Sequence, residues 1–466
     1  MSRPAAPSAA GRHRSRAPKQ RRPAAFGVPV LVVLLAAVPL FGVGVVSTVV
    51  VTVFSAVLLV VAVVSVSWQT YAWRTPDTFS RTGLAHLDPP RLSFSVLVPA
   101  RHEEAVLGAT LAGIAAMDHP NFEIVVVVGH DDPGTRAVAE EAAADAPVPV
   151  PVKVVVDGHQ QKNKPKALNT GLPHCGGDVV LVIDAEDDVQ PGLLRLADAT
   201  FRRHAVDIVQ TGVQLVDFDT SWWAARNVLE YFFWFRSRLH FHAAQRFIPL
   251  GGTSIAVRRD LLEHLGGWDE ACLAEDCDLG VRASAMGARV AVVYEPGHAT
   301  LEETPPDVRA FFRQRVRWMQ GFLQVLAKRD WHRLPTRRQR LQAAVVLGTP
   351  LSQSVAAVAA PLCVATALFL KAPVLIVLAT FLPLIPTVLG LAFDVVGLSD
   401  FGRTFSRRIG PRAYLQVVLS LPAYQLLLAA AAVWAGVRHL RGVNSWSKTQ
   451  HVNAHRDVLA PAGERR

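Results

Sequence analysis

The sequence predicts an α/β domain, doubly wound around a mostly parallel sheet and flanked by transmembrane helices. Two observations carry this. Runs that are apolar almost throughout ("LSFSVLVPA", "FEIVVVVG", "VKVVVD", "DVVLVIDAE") alternate with helical patterns between about Leu92 and Asp330. Strands buried on both faces read this way, and the intervening helices make the crossovers of a parallel sheet. In addition, four long stretches hold no charged residue: between Pro23 and Trp73, Leu341 to Leu370, Ala372 to Phe393, and Ala413 to Val437. A spanning helix needs about 20 apolar residues. The first stretch holds two spans hinged near Gly42 and Gly44, and each of the others holds one.

The elements follow in chain order. Residues 1–24 form a Pro/Ala/Arg-rich basic tail with no acid, expected to be disordered and cytoplasmic by the positive-inside rule. Residues 25–73 supply two spans. A secretory signal would have an apolar core of only about 7–15 residues. The chain then returns to the cytoplasm at Arg74, so residues 90–303 read as a cytosolic domain. Residues 304–330 read as an amphipathic helix at the membrane surface. From Asp307 to Lys328 its face Phe311, Phe312, Val316, Met319, Phe322, Leu323, Leu326 is apolar, while Gln314 and Arg317 fall off it. Residues 341–438 hold about three spans, and 439–466 are a basic tail. The loop with Arg403, Arg407, Arg408 and Arg412 and that tail both look cytoplasmic, which one intervening span cannot satisfy.

Composition agrees. The 466 residues are 51% hydrophobic and 18% charged, with mean hydropathy +0.26; soluble domains carry about 25% charged residues. The net charge of +10 is explained by membrane-flanking arginines, and no nucleic-acid motif accompanies it. Cys175, Cys272, Cys277 and Cys363 match no zinc spacing and are expected to be free thiols.

Within the domain, helical patterns run from Glu103 to Met117 and from Pro133 to about Ala144. Polar clusters follow three of the strands: Arg101 to Glu104, Gly129 to Asp132, and Asp184 to Asp188. Parallel sheets bind ligands beyond the carboxyl ends of their strands. Asp184, Glu186, Asp187 and Asp188 would repel one another without a cation among them. A hard divalent ion takes a few carboxylates and completes its shell with water and phosphate oxygens. Asp184 and Glu186 therefore read as ligands of Mg²⁺ or Mn²⁺ bridging a diphosphate, with a solvated acidic loop as the alternative. Asp188, beside Pro191-Gly192, reads as a helix cap. Lys162, Lys164 and Lys166 in "KNKPKALNTGL" supply positive charge nearby. His240 and His242 are two apart on a helical pattern, so they do not converge and read as packing.

These residues resemble family 2 glycosyltransferases, especially the membrane-embedded branch of cellulose and hyaluronan synthases. "VLVPARHEE" looks like the nucleotide-binding first strand and "KPKALNTGL" like the lysine motif. "DAED" sits where the family has D-x-D. "GGTSIAVRRDLLEHLGGWDE" and "LAEDCDLGVR" are similar to the acceptor-side motifs, and "QRVRW" matches Q-x-x-R-W. "WSKTQH" (446–451) resembles a tail motif of related enzymes. The resemblance implies a Rossmann-like, nucleotide-sugar-binding GT-A domain. It implies that Pro99, Ala100 and Glu103 line the nucleoside pocket, that Lys166 approaches the phosphates, and that Asp184 and Glu186 hold the metal. It makes Asp276, with Glu275 beside it, the catalytic base. Gly251, Gly252, Gln314, Arg317 and Trp318 would close over the diphosphate and acceptor.

Two positions depart from the pattern. Val128 and Gly129 end the second strand where an acid is common, with Asp131 and Asp132 displaced, and Glu186 stands for the second Asp, with Asp187 as the alternative. The implied function is sugar transfer, with inversion, from a nucleotide sugar (a UDP-sugar favoured) to a glycan or lipid-linked acceptor. The enzyme would be a multi-pass protein of the cell membrane, in contact with its lipid, with a cytoplasmic catalytic domain. Q-x-x-R-W leans towards a polysaccharide synthase; the alternative is a single addition to a polyprenyl phosphate or glycolipid. A transporter with a degenerate nucleotide-binding domain is the rival class. Charges buried in the spans would favour it, and Lys371 and Asp394 read as lying at span ends.

Overall fold

The apolar runs of β1, β2 and β4 become strands because almost every residue in them is buried from both sides, while β3, at the sheet edge, is partly exposed. In the computed structural model, which describes residues 45–75, 89–144, 150–356 and 384–445, β1 (Phe94–Ala100), β2 (Phe122–Gly129), β3 (Val152–Asp157) and β4 (Val179–Val182) are parallel. β5 (Ile208–Thr211), β6 (Val213–Leu215), β7 (Ile255–Arg258), β8 (Val290–Val293) and β9 (Thr300–Glu302) follow. The main sheet has the order β3-β2-β1-β4-β7-β5-β8, in which only β7 runs antiparallel to its neighbours, while β6 and β9 pair in parallel as a second sheet. Expectations for residues 1–44, 357–383 (with Cys363 and Lys371) and 446–466 lie outside the described residues.

Alternation along each strand divides two cores. Val96, Val98, Ile124 and Val126 face α2 (Leu107–Ala115), α3 (Pro133–Ala144) and α5 (Leu193–His204) through Leu107, Ala139 and Leu193. Leu97, Val125 and Val127 face the other way. There they meet Leu168 of α4 (Lys164–Gly171), Phe232 of α6 (Trp222–Phe233) and Leu279 of α9 (Glu275–Ala285). The helix expected from Glu103 starts only at Leu107. Side chains of α3 take the loop's donors first: His102 N–H donates to Asp132 Oδ2 at 2.6 Å and Glu103 N–H to Thr135 Oγ1 at 2.9 Å. His102 is held at φ +52°. This folds residues 101–106 as a turn over the carboxyl ends of β1 and β2.

Outside the sheet lie α1 (Val45–Gln69), α10 (Val308–Lys328), α11 (Arg337–Leu347), α12 (Leu384–Thr404) and α13 (Pro411–Arg441). Among the described residues, Thr52–Gln69 and Pro411–Arg441 are long and apolar enough to cross a membrane. Asp394 does not sit at a helix end, as the sequence reading had it. It lies inside α12, where Arg226 of α6 reaches it at 2.6 Å and Gln69 donates to its other oxygen at 2.6 Å. Arg226 also donates to Ser420 Oγ (3.2 Å) and Val417 O of α13. One turn along α6, Glu230 pairs with Arg315 at 2.6 Å and accepts from the Tyr424 hydroxyl. α6 is thereby tied through charged contacts to α10, α12 and α13. α10 buries Gln314, Arg315, Gln320 and Gln324 as well as its apolar side, because α13 covers one flank and the domain the other.

Candidate active site

The site grows from the end of β4. Asp184 N–H donates to Asp187 Oδ2 (2.9 Å) and Thr253 Oγ1 (3.1 Å), and the Thr253 hydroxyl donates to the same Asp187 oxygen at 2.5 Å. Asp187 is fully buried and orients this turn from behind. It does not line the cavity, whereas Asp184 and Glu186 do. Asp188 caps no helix. Its backbone bridges to Leu301, and α5 begins after Gly192 with no side-chain cap.

Lysine placement corrects the sequence reading. Asn163 caps α4 by accepting from Lys166 N–H at 3.1 Å. This puts Lys164 at the first helical position, where Nζ ion-pairs with Asp184 and donates to Gly252 O at 2.8 Å. Lys166, two positions on, points away: its Nζ donates to Gln161 O at 2.7 Å and it does not line the cavity. Lys164, and Lys162 further out, take the place assigned to Lys166.

Gly252 packs closely against the site's charged groups. A Cβ there would stand 3.2 Å from Asp276 Oδ2 and 3.5 Å from Lys164 Nζ. Gly251 N–H donates to Gln210 Oε1 at 2.8 Å. Asp276, in the first turn of α9, accepts from Cys277 N–H at 2.7 Å, and Glu275 precedes it. α10 crosses the loop before α9 at Gly321, where a Cβ would lie 2.6 Å from Ala274 N, and Leu273 N–H donates to Gln324 Oε1 at 2.8 Å. That crossing sets Gln314, Arg317 and Trp318 over the carboxylates. Gln314 Oε1 is buried and has no hydrogen-bond partner among the described residues.

A cavity of about 370 Å³ connects these groups. Pro99, Ala100, Glu103 and Gly129 line one end, and Val346 of α11 with Thr349, Pro350 and Gln353 just after it line another part. Asp184, Glu186, Gly251, Gly252, Glu275, Asp276, Gln314, Arg317 and Trp318 lie between. Sequence reasoning passed over Asp157, Glu230, Tyr231, Arg238 and Glu302, which also line it. Glu302 arrives on β9, brought by pairing with β6 far back in the chain; its only sequence signal is the acid pair Glu302-Glu303. His242, by contrast, packs edge-on against Trp68 at 5.1 Å in an apolar setting, as read. Cys175, Cys272 and Cys277 are buried free thiols.

The site's electrostatics are one-sided. Burial, with Asp276 beside it, pushes Glu275 up to about 7. Burial and the Asp184 and Glu186 charges push Glu302 up to about 8. Burial also raises Asp184, against the pull of Lys164, and raises Asp276. Burial works against the Lys164 ammonium, but Asp184 and Glu275 outweigh it and hold its pKa above the ordinary lysine value. A divalent cation bound among these carboxylates, which burial first and their neighbours second hold back from ionising, would favour their charged forms. Their hard oxygens fit Mg²⁺ or Mn²⁺, and Asp184 and Glu186 are the two that face the cavity from one turn. Among the described residues no three His, Cys, Asp or Glu side chains form a protein-only metal cage.

The description "Glycosyltransferase like family 2" matches residues 89–321, half of the chain. The chain belongs to this family. The match ends inside α10, just beyond Trp318. This family 2 chain is 27% identical over 246 residues to a probable glycosyltransferase, YdaM, of Bacillus subtilis, covering 50% of this chain and 56% of that one. It is 28% identical over 232 residues to the β-monoglucosyldiacylglycerol synthase of a Nostoc species, covering 49% and 48%. The chain thus spans about half the length of these curated relatives. A mannosyltransferase from Pyrobaculum calidifontis, solved with GDP-mannose and Mn²⁺, superposes with TM-score 0.53 at 21% identity, over 83% of this chain and 99% of that one. That likeness concerns the fold, which is GT-A-like.

Proposed function

We propose that this family 2 chain transfers a sugar from a nucleoside diphosphate sugar, a UDP-sugar favoured, to an acceptor hydroxyl that reaches the cavity from its membrane side. The convergence of Asp184, Lys164, Gly252 and Asp276 carries the reading. It joins a diphosphate-binding edge to a second, separate carboxylate within one enclosure.

In this scheme Pro99, Ala100 and Glu103 shape the nucleoside end. A divalent cation held by Asp184 and Glu186 would neutralise the diphosphate and so make it a better leaving group. Lys164 adds a fixed positive charge, oriented by Gly252 O. Asp276 accepts the acceptor's hydroxyl proton. The acceptor oxygen bonds to the anomeric carbon as the bond from that carbon to the diphosphate oxygen breaks, and the electron pair leaves with the diphosphate. Attack from the face opposite the leaving group inverts the anomeric centre. Burial raises Asp276, which improves it as a base near neutral pH. Arg317, Gln314 and Trp318, fixed by the Gly321 crossing, close over the diphosphate and acceptor and exclude water. Glu275 stands beside the base and shares its proton equilibrium.

The acceptor is a glycan or a lipid-linked molecule. Q-x-x-R-W supports a polymerising enzyme. The helices around the cavity's membrane side, and a relative named for a glycolipid product, support addition to a lipid. The enzyme is assigned to the cell membrane as a multi-pass protein, its catalytic domain towards the cytoplasm. The test is to incubate the purified full chain with several UDP- and GDP-sugars plus Mn²⁺ or Mg²⁺, and to measure nucleotide release and product size. Metal-dependent release with one donor is expected. No release with any donor, with or without lipid or glycan acceptors, would overturn the proposal.

A further inference from the structure

Arg238 lines the same cavity but has no place in the scheme above. It follows α6 in the π-turn Trp234–Arg238, and its guanidinium lies between two indoles, 5.1 Å from the Trp68 ring and 5.0 Å from the Trp234 ring. Trp68 stands near the end of α1 and shares an apolar cluster with Val346 and Leu347 of α11. This is therefore the membrane-side part of the cavity. Among the described residues no carboxylate pairs with Arg238, and its Nε has no hydrogen-bond partner. Glu230, the acid with the main influence on it, is engaged by Arg315 and Tyr424. Gln353 Oε1, also on the cavity wall, is buried without a partner among the described residues. Elsewhere in the site acids outnumber cations; here a cation stands alone among apolar groups.

A half-buried charge among apolar groups with no counter-charge is favoured by a ligand that supplies one. Guanidinium suits phosphate, which it meets with two parallel hydrogen bonds. An occupant that puts phosphate at Arg238, an apolar part against Trp234, Phe322 and Val346 of α11, and a hydroxyl at Asp276 satisfies all three surroundings. We propose that Arg238 receives the phosphate of a lipid acceptor in which phosphate links the hydrocarbon tail to the hydroxyl-bearing head. This rests on the transferase reading and narrows its acceptor to an anionic lipid.

The test uses the full chain in neutral detergent with three probes: dioctanoyl phosphatidylglycerol, dioctanoylglycerol and glycerol 3-phosphate. Binding is followed by calorimetry, without turnover. The phospholipid is expected to bind at least tenfold tighter than dioctanoylglycerol, and glycerol 3-phosphate, lacking the tail, at least a hundredfold more weakly than the phospholipid. Arg238→Gln should cut the first ratio below twofold, while Arg238→Lys keeps it above fivefold. Equal affinity of wild-type protein for the phospholipid and the neutral lipid would overturn the inference even if the Gln variant does not fold. So would a ratio retained in Arg238→Gln. Glycerol 3-phosphate binding as tightly as the phospholipid would assign the site to a free phosphate instead. The transferase reading fails separately: nucleotide release would be absent while the binding ratio stands.

Discussion

Two polar regions of this chain are built from the same residue types and differ in balance. In the seam between the domain and the neighbouring helices, Arg226 pairs with Asp394 and Arg315 with Glu230, the latter pair also reaching the cavity wall. Tyr424, Ser420, Gln69 and Asn227 add further hydrogen bonds to these pairs. In the cavity, Asp184, Glu186, Glu275, Asp276 and Glu302 face Lys164 and Arg317, and burial raises the pKa of Asp184, Glu275, Asp276 and Glu302. A balanced cluster holds elements together. An unbalanced one is completed only by something the protein binds. The comparison also explains why Arg226, buried as deeply as any site residue, is assigned no chemistry.

The contrast can be broken by substitution. Asp276→Asn removes the base and should lower nucleotide release by about 10²–10⁴-fold, the usual worth of a positioned base. Donor affinity should stay within twofold; unchanged turnover would remove Asp276 from the role. Asp394→Asn should act on stability instead, because it leaves Arg226 buried and unpaired. Breaking such a pair costs about 3–5 kcal/mol, read as a lower melting temperature, with donor affinity intact in the protein that remains folded. A normal melting temperature would show that the seam carries no such load.

A smaller effect separates the two lysines. Lys164→Gln should weaken donor binding by about tenfold, the scale of one charge-assisted bond at about 1.5–3 kcal/mol, while Lys166→Gln should change it less than twofold. The reverse order would restore the sequence reading. The smallest effect is pH-dependent. Glu275 and Glu302 have folded pKa values of about 7 and about 8, above the ordinary 4.5. The folded state therefore holds protons that the unfolded chain has released, and stability falls as pH rises through these values. In chelator the melting temperature should drop between pH 6 and pH 8.5. Mn²⁺, by favouring the ionised carboxylates, should reduce the drop. A flat profile would mean that the carboxylates are not crowded.

Much of this was legible in the sequence because the parallel sheet writes itself as apolar runs, and its ligand edge is where those runs end. The clusters Arg101 to Glu104 and Asp184 to Asp188 follow from that rule; Pro99, Ala100 and the acceptor-side residues followed from motif likeness. What was missed depends on phase and pairing. Whether Lys164 or Lys166 enters the site is set by where Asn163 starts the helix, and a motif string carries no such phase. Glu302 depends on β9 finding β6, a three-residue pairing with no local signature. Arg238 and Asp394 read as ordinary charges near aromatic or apolar segments until their neighbours are known. That α10 also buries Arg315, Gln320 and Gln324 was not legible, because sequence periodicity cannot show that α13 and the domain enclose the helix from two sides.

The most direct test of the central claim is calorimetric titration of UDP and GDP into the full-length protein and Asp184→Asn, each with Mn²⁺ and with chelator. A cation shared by Asp184, Glu186 and the diphosphate predicts that Mn²⁺ tightens binding of one nucleotide at least tenfold in the unaltered protein and less than twofold in the variant. Equal affinity with and without metal in the unaltered protein, or the same gain in both proteins, would contradict it.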